Sequence, residues 1–181
     1  MTENAFLKFV RKQGWLKPLG EKSDDLVNSA LGSVGVAGEA AKSVLVNSRL
    51  LGHTRHPTIT DIPIGSWTVT LVSDLLETAG YKQITTAADI SLLVGIGASV
   101  LASAGGLADL SETAGETDRR LGIMHGLLHG LTTVLYGSSL VARRKESRTI
   151  GRSLAFAGYA SLLSAAYLAN ELAKKRAKSL N

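Results

Sequence analysis

Three stretches of the chain run for 18 residues or more without an Asp, Glu, Lys or Arg: Ile90–Ala108 (19 residues), Leu121–Ala142 (22) and Ser153–Asn170 (18). Crossing the hydrocarbon core of a bilayer takes about 20 apolar residues of helix, and all three stretches are near that length. A fourth, Ile62–Tyr81, holds Asp74 and Glu77 towards its far end. A helix on the surface of a soluble bundle carries a charged stripe opposite its apolar face, and the three uncharged stretches have none. In a chain of 181 residues there is too little other protein to cover four such helices. The pattern predicts an all-α protein, an integral membrane up-down four-helix bundle over residues 53–173.

Averages conceal this. A hydrophobic fraction of 45% and a formal net charge of +5 describe an ordinary basic globular protein. The mean combines the apolar stretches with a polar head, residues 1–56, that carries eight basic and five acidic side chains. Within that head, Ala5–Leu16 reads AFLKFVRKQGWL and mixes large apolar residues with Lys8, Arg11 and Lys12. It predicts an amphipathic helix lying on an anionic cytoplasmic leaflet. A second helix is expected over Asp24–Leu51, capped by Ser23 or Asp24 and interrupted by Gly32, Gly35 and Gly38. Residues 1–52 are thus expected to be a membrane-surface or partner-docking segment, and 174–181 a basic tail. No long apolar run lies in the first 20 residues, so no secretory signal peptide is expected.

Basic residues set orientation. With the N-terminus inside, 14 Lys and Arg fall on inside segments and six on outside ones. This predicts a bacterial inner-membrane protein with both termini in the cytoplasm, although the loop between the third and fourth stretches is itself basic. The charge flanks the apolar stretches and no nucleic-acid motif accompanies it, so nucleic acid is not an expected partner. Small residues line the helices. Gly95, Ser99, Ala102, Gly106 and Asp109 share one face, and Gly122, Gly126 and Gly130 repeat at intervals of four. Such faces let membrane helices approach closely.

Absence of cysteine excludes disulfides, thiolate zinc sites and iron–sulfur ligation by this chain. Histidine is left as the main soft-metal ligand. The four histidines form two pairs, H-T-R-H-P (His53, His56) before the first apolar stretch and M-H-G-L-L-H-G (His125, His129) early in the third. In an up-down bundle the first and third helices start at the same membrane face, so the pairs lie at similar depth. His125 and His129, four apart, share a helical face. Histidine within a membrane segment is costly and marks a functional site.

Imidazole suits haem iron, non-haem iron, zinc and copper. Two histidines one turn apart cannot take opposite faces of one haem, so a bis-His haem b would draw one ligand from each pair. Gly126 would let the flat macrocycle approach. A transition-metal ion would instead use all four nitrogens of His53, His56, His125 and His129, and the spacing leaves both options open. Arg55, Asp61, Asp109, Arg119 and Arg120 fall near the same face, as ligand orienters, propionate partners or interfacial anchors. Asp74 and Glu77, close to the opposite face, are expected to be solvated.

The stretch L-G-H-T-R-H-P-T-I-T-D-I-P-I-G-S-W, followed by a helix with Asp74, resembles an uncharacterised bacterial family of four-helix membrane proteins. So do G-L-A-D-L at Gly106–Leu110 and R-R-L-G-I-M-H-G-L-L-H. The resemblance covers Gly52–Ala173. Some members resemble fusions to a Rieske iron–sulfur domain, which implies membrane redox work with a separate iron–sulfur partner here. The family's HPxHP-like element is H-T-R-H-P in this chain, without a proline after His53.

Three functions follow as expectations. One is a haem b electron-transfer component, rather than a stand-alone enzyme, passing electrons between a quinone and a protein partner. The second is a non-haem metal site. The third is a structural subunit of a homo- or hetero-oligomeric membrane complex. No catalytic triad, phosphate loop or dinucleotide fingerprint appears. A transporter finds little support without an internal repeat.

Overall fold

A computed structural model describes residues 5–32, 57–111 and 115–179. These residues form six α-helices: α1 (Ala5–Lys12), α2 (Leu16–Gly32), α3 (Pro57–Thr78), α4 (Thr85–Ser111), α5 (Glu116–Arg144) and α6 (Arg148–Ser179). A 3₁₀ turn, Lys82–Ile84, precedes α4, and no strand occurs among the described residues. The all-helical expectation therefore holds. The helices divide into two compact units, one drawn from Met1–Arg55, Ala104–Leu127 and Ser164–Asn181, the other from His56–Ser103 and Leu128–Leu163.

In the first unit, α1 buries Leu7 and Val10 and leaves Phe6 and Phe9 exposed. The expected Ala5–Leu16 helix divides in two at Gly14. Gln13 ends α1 by donating from Nε2 to the Phe9 carbonyl (3.1 Å) and accepting from Trp15 Nε1 (3.0 Å). The chain then restarts as α2, with Pro18 in the first turn, where the missing N–H costs nothing. The expected start at Ser23 or Asp24 is therefore corrected, because both residues lie inside α2. The rest of the expected Asp24–Leu51 helix, beyond Gly32, lies outside the described residues.

In the second unit, packing pairs fix the helix directions. Trp67 of α3 stacks on Tyr136 of α5 with centroids 4.3 Å apart and an interplanar angle of 7°. Two turns further on, Asp74 pairs with Arg143, 69 positions along the chain, the same offset as Trp67 from Tyr136. Constant offset means that α3 and α5 run parallel. Against α4, Thr70 meets Ser91 (2.9 Å), while a Cβ on Gly95 would fall 2.3 Å from Trp67 Nε1. The partner number falls as the α3 number rises, so α4 is antiparallel to α3. By the same test α6 is antiparallel to α3, from Thr68–Tyr159 (3.2 Å) and Glu77–Arg148 (2.7 Å), and to α5, from Leu128–Ser161 (3.0 Å) and Ser139–Gly151 (2.6 Å). Within this unit the order is up-down-up-down.

Polar and apolar residues are distributed here contrary to the habit of water-soluble domains. Thr70, Ser73, Asp74, Ser99, Thr132, Ser139, Arg143 and Ser161 are buried. Val69, Val72, Leu75, Ile90, Leu93, Val100, Leu101 and Val134 face outward, Leu101 with 67% of its surface exposed. Small residues admit the aromatic stack between the helices. Gly95 lies against Trp67, and a Cβ on Gly158 would come within 3.0 Å of the Tyr136 ring. Of the glycines spaced by four in α5, Gly122 abuts Leu110 (2.8 Å to a built Cβ), whereas a Cβ on Gly126 or Gly130 would meet nothing within 4 Å. Among the described residues, one helical stretch, Lys82–Leu107, is long and apolar enough to cross a membrane.

Candidate functional site: paired histidines and a buried ion cluster

α5 carries His125 and His129 one turn apart, as their spacing predicts. Each ring meets a backbone carbonyl of another helix. His125 Nδ1 lies 2.8 Å from the Ala165 carbonyl of α6, and His129 Nε2 lies 3.3 Å from the Ser99 carbonyl of α4. A carbonyl only accepts, so the proton sits on Nδ1 of His125 and on Nε2 of His129. The two rings are thereby fixed through different nitrogens. One turn on, the Thr133 hydroxyl shares its single proton between the His129 carbonyl (3.0 Å) and Ser99 Oγ (3.2 Å). The His129 ring also lies 6.4 Å from the Trp67 ring.

His53, Arg55 and His56 lie outside the described residues, as does the side chain of Asp109. Pro57 opens α3 directly after His56, occupying the first helical position, which proline favours. Asp61 is exposed. Arg119 and Arg120 tie α1 and α2 to the start of α5. Arg119 donates to the Gly20 carbonyl (2.9 Å), and Arg120 to the Arg11 carbonyl (2.6 Å) and to Glu116 (2.6 Å). Together with Lys17 and Glu21 they line a cleft of about 360 Å³. Among the described residues no three His, Asp or Glu side chains gather into a metal-binding group.

Sequence reasoning missed the strongest polar feature of the second unit. Asp74, expected to be solvated, has no exposed surface and pairs with the equally buried Arg143. Arg143 also reaches Asp89 Oδ1 (3.1 Å) and takes its Nε to Ser139 Oγ (3.1 Å). Arg148 binds both Glu77 oxygens through Nε (2.7 and 2.8 Å), Asp89 through an Nη (3.0 and 3.1 Å) and the Thr85 carbonyl (3.2 Å). Arg152 adds a longer contact to Glu77 (3.6 Å). Three carboxylates face three guanidiniums, so the cluster is charge-balanced, and every helix from α3 to α6 contributes to it. Partial burial works against the Arg148 charge, but its hydrogen bonds to Glu77 and Asp89 and their charges outweigh that and hold Arg148 above its ordinary value.

A charge-balanced cluster inside an apolar exterior is compatible with a membrane protein. The family comparison agrees. Residues 52–172 match a family described as "Predicted membrane protein (DUF2231)". The chain belongs to this family. The DUF2231 match takes in α3, α4, α5 and most of α6 with both histidine pairs, and leaves α1 and α2 outside it. No curated protein and no solved structure matches the chain.

Proposed function

We propose that α3–α6 all cross a bacterial inner membrane, and that the chain binds haem b and passes electrons between a quinone and a protein partner. An iron–sulfur protein encoded separately suits the partner's role. The observation that supports a ligand site is the way the α5 histidines are oriented. Ligating histidines usually have one ring N–H fixed by a backbone carbonyl or carboxylate, which sets the tautomer and aims the other nitrogen. His125 meets Ala165 in this manner through Nδ1. His129 commits Nε2 to Ser99, so of the pair His125 is the residue that would hold the haem iron. His53 or His56 would supply the second ligand. The open space over Gly126 suits a flat ring, and Arg55 a propionate. A haem so held would supply one-electron chemistry at a potential tuned by burial and by hydrogen bonds to its ligands.

The test is an optical spectrum of the detergent-solubilised full chain, with and without dithionite, alongside metal analysis. A haem b difference spectrum that H125A abolishes and H129A only perturbs supports the reading. A colourless protein that carries iron, zinc or copper, and loses it when the four histidines are replaced, moves the site to a metal ion. A second reading rests on the same two hydrogen bonds. They also join α5 to α6 and to α4, as interhelical clamps in a structural subunit would. A colourless, metal-free protein that stays folded, and whose assembly is disturbed by H125A, establishes that role and rejects the cofactor.

A further inference from the structure

Beyond the ion pairs, the second unit contains three buried polar atoms without a hydrogen-bond partner among the described residues: Trp67 Nε1, Asp74 Oδ1 and the Tyr136 hydroxyl, the last two being the oxygens. Neither Asp74 nor Tyr136 has exposed surface. Asp74 Oδ2 is taken by Arg143, which leaves Oδ1 as a bare acceptor, while a phenol can donate as well as accept. Tyr136 stacks on Trp67, two turns before Asp74 on α3, and Arg143, the partner of Asp74, follows Tyr136 by the same two turns on α5, so both groups lie in the same α3–α5 seam, yet no bond joins them directly. Buried polar atoms in native interiors are satisfied by protein or by ordered water. The other charged and titratable groups around Asp74 are Glu77 of its own helix, Asp89 of α4, Arg143 of α5, and Arg148, Arg152 and Tyr159 of α6. None of them bonds to either orphaned atom in this arrangement.

We propose that Asp74 Oδ1 and the Tyr136 hydroxyl bound an internal water-binding site. Water there donates to Asp74 and accepts from Tyr136. The site continues into the ion cluster, whose outer member, Asp89, is 37% exposed. That exposed edge is where water and protons exchange with the surroundings. Each proton hop along the bridge forms one O–H bond and breaks another, so no co-reactant is needed. The inference is independent of any haem, because Tyr136 and Asp74 take no part in that reading.

Fluorine NMR of the full chain labelled with 3-fluorotyrosine tests it. The protein has four tyrosines, and Y136F assigns the resonance of interest. The expected result is a solvent isotope shift of the Tyr136 signal between H₂O and D₂O, similar in size to that of the exposed Tyr81, despite complete burial. Absence of that shift overturns the proposal. D74N is expected to move the Tyr136 signal and alter its isotope shift. Should D74N fail to fold by circular dichroism, D74E retains the charge while displacing the carboxylate, and must move the signal too. A Tyr136 signal indifferent to the Asp74 variant that folds equally overturns the shared site.

Discussion

Arg143 ties α5 to both α3 and α4 in the second unit. Its guanidinium binds Asp74, Asp89 and Ser139, and the last of these donates to the Gly151 carbonyl. Removing one partner of a buried pair leaves the other as an uncompensated charge, a loss of about 3–5 kcal/mol, whereas replacing both with apolar residues of similar volume is often close to neutral. R143A should therefore destabilise the protein by about that amount, and D74L/R143M should recover most of it. Thermal unfolding in detergent, followed by circular dichroism, reads the difference. If R143A unfolds within a degree or two of the parent, the cluster is not the structural tie described above. Glycines give a sharper contrast. G95A places a methyl 2.3 Å from Trp67 Nε1, against ring atoms locked in the stack on Tyr136, and should cost about 1–3 kcal/mol through overpacking. G126A meets nothing within 4 Å and should gain roughly the 1 kcal/mol by which alanine exceeds glycine in a helix. The same G126A should lower haem retention if the macrocycle lies on that face. Unfolding midpoints and the absorbance of haem-loaded protein separate the two effects.

At the scale of elements, the long helices were legible because three uncharged runs of 18 residues or more stand out from the rest of the sequence. Each stretch is the middle of an observed helix, which extends past it into charged residues: α5 begins at Glu116 rather than Leu121, and α6 runs from Arg148 to Ser179. Acidic Glu116 and Asp118 in the first turn of α5, and Arg143 and Arg144 in its last, complement the helix dipole and account for the extensions. The ion cluster was not legible locally, because Asp74, Asp89, Arg143 and Arg148 are spread over four helices, and a charge near a helix end reads as solvated. A non-local signal existed. In an up-down bundle the α3–α4 and α5–α6 connections share one end. The first is flanked by Asp74, Glu77 and Asp89, and the second by Arg143, Arg148 and Arg152. Their opposite signs reinterpret the basic loop that seemed to oppose the topology, since three of its arginines are neutralised by carboxylates of α3 and α4. The histidine pair was legible as a shared face, but not the split by which His125 turns to α6 and His129 to α4, since that depends on neighbours. In the N-terminal helices, Arg120 is the tie that sequence could not foresee. Its bond to the Arg11 carbonyl anchors the end of α1, so R120A should raise amide hydrogen exchange in Ala5–Lys12 at least several-fold and leave α3 unchanged. Equal protection in both proteins would show that Leu7 and Val10 hold α1 without it.

For the whole molecule, the topology proposed above turns on how many helices cross the bilayer. Composition singles out Lys82–Leu107, whereas the outward-facing Val69, Val72, Leu131, Val134 and Leu163 argue that α3, α5 and α6 also face lipid. The two arrangements place the connections differently. With four alternating spans, the α3–α4 connection at Gln83 and the α5–α6 connection at Lys145 lie on one side, and the start of α5 at Glu116 on the other. With one span at α4, Gln83 lies alone, and Glu116 and Lys145 share the opposite side. The chain has no cysteine, so Q83C, E116C and K145C each introduce a unique thiol at an exposed position. A membrane-impermeant maleimide applied to right-side-out and inverted vesicles reads the side of each. The four-span arrangement predicts that Q83C and K145C label from outside and E116C from inside, because the excess of basic residues falls on the segments that share a side with Glu116. Labelling of K145C together with E116C would reduce the membrane domain to a single span. It would also leave the exposed apolar surfaces of α3, α5 and α6 to be covered by protein rather than lipid, and the buried ion cluster would then act as a tie inside a larger assembly.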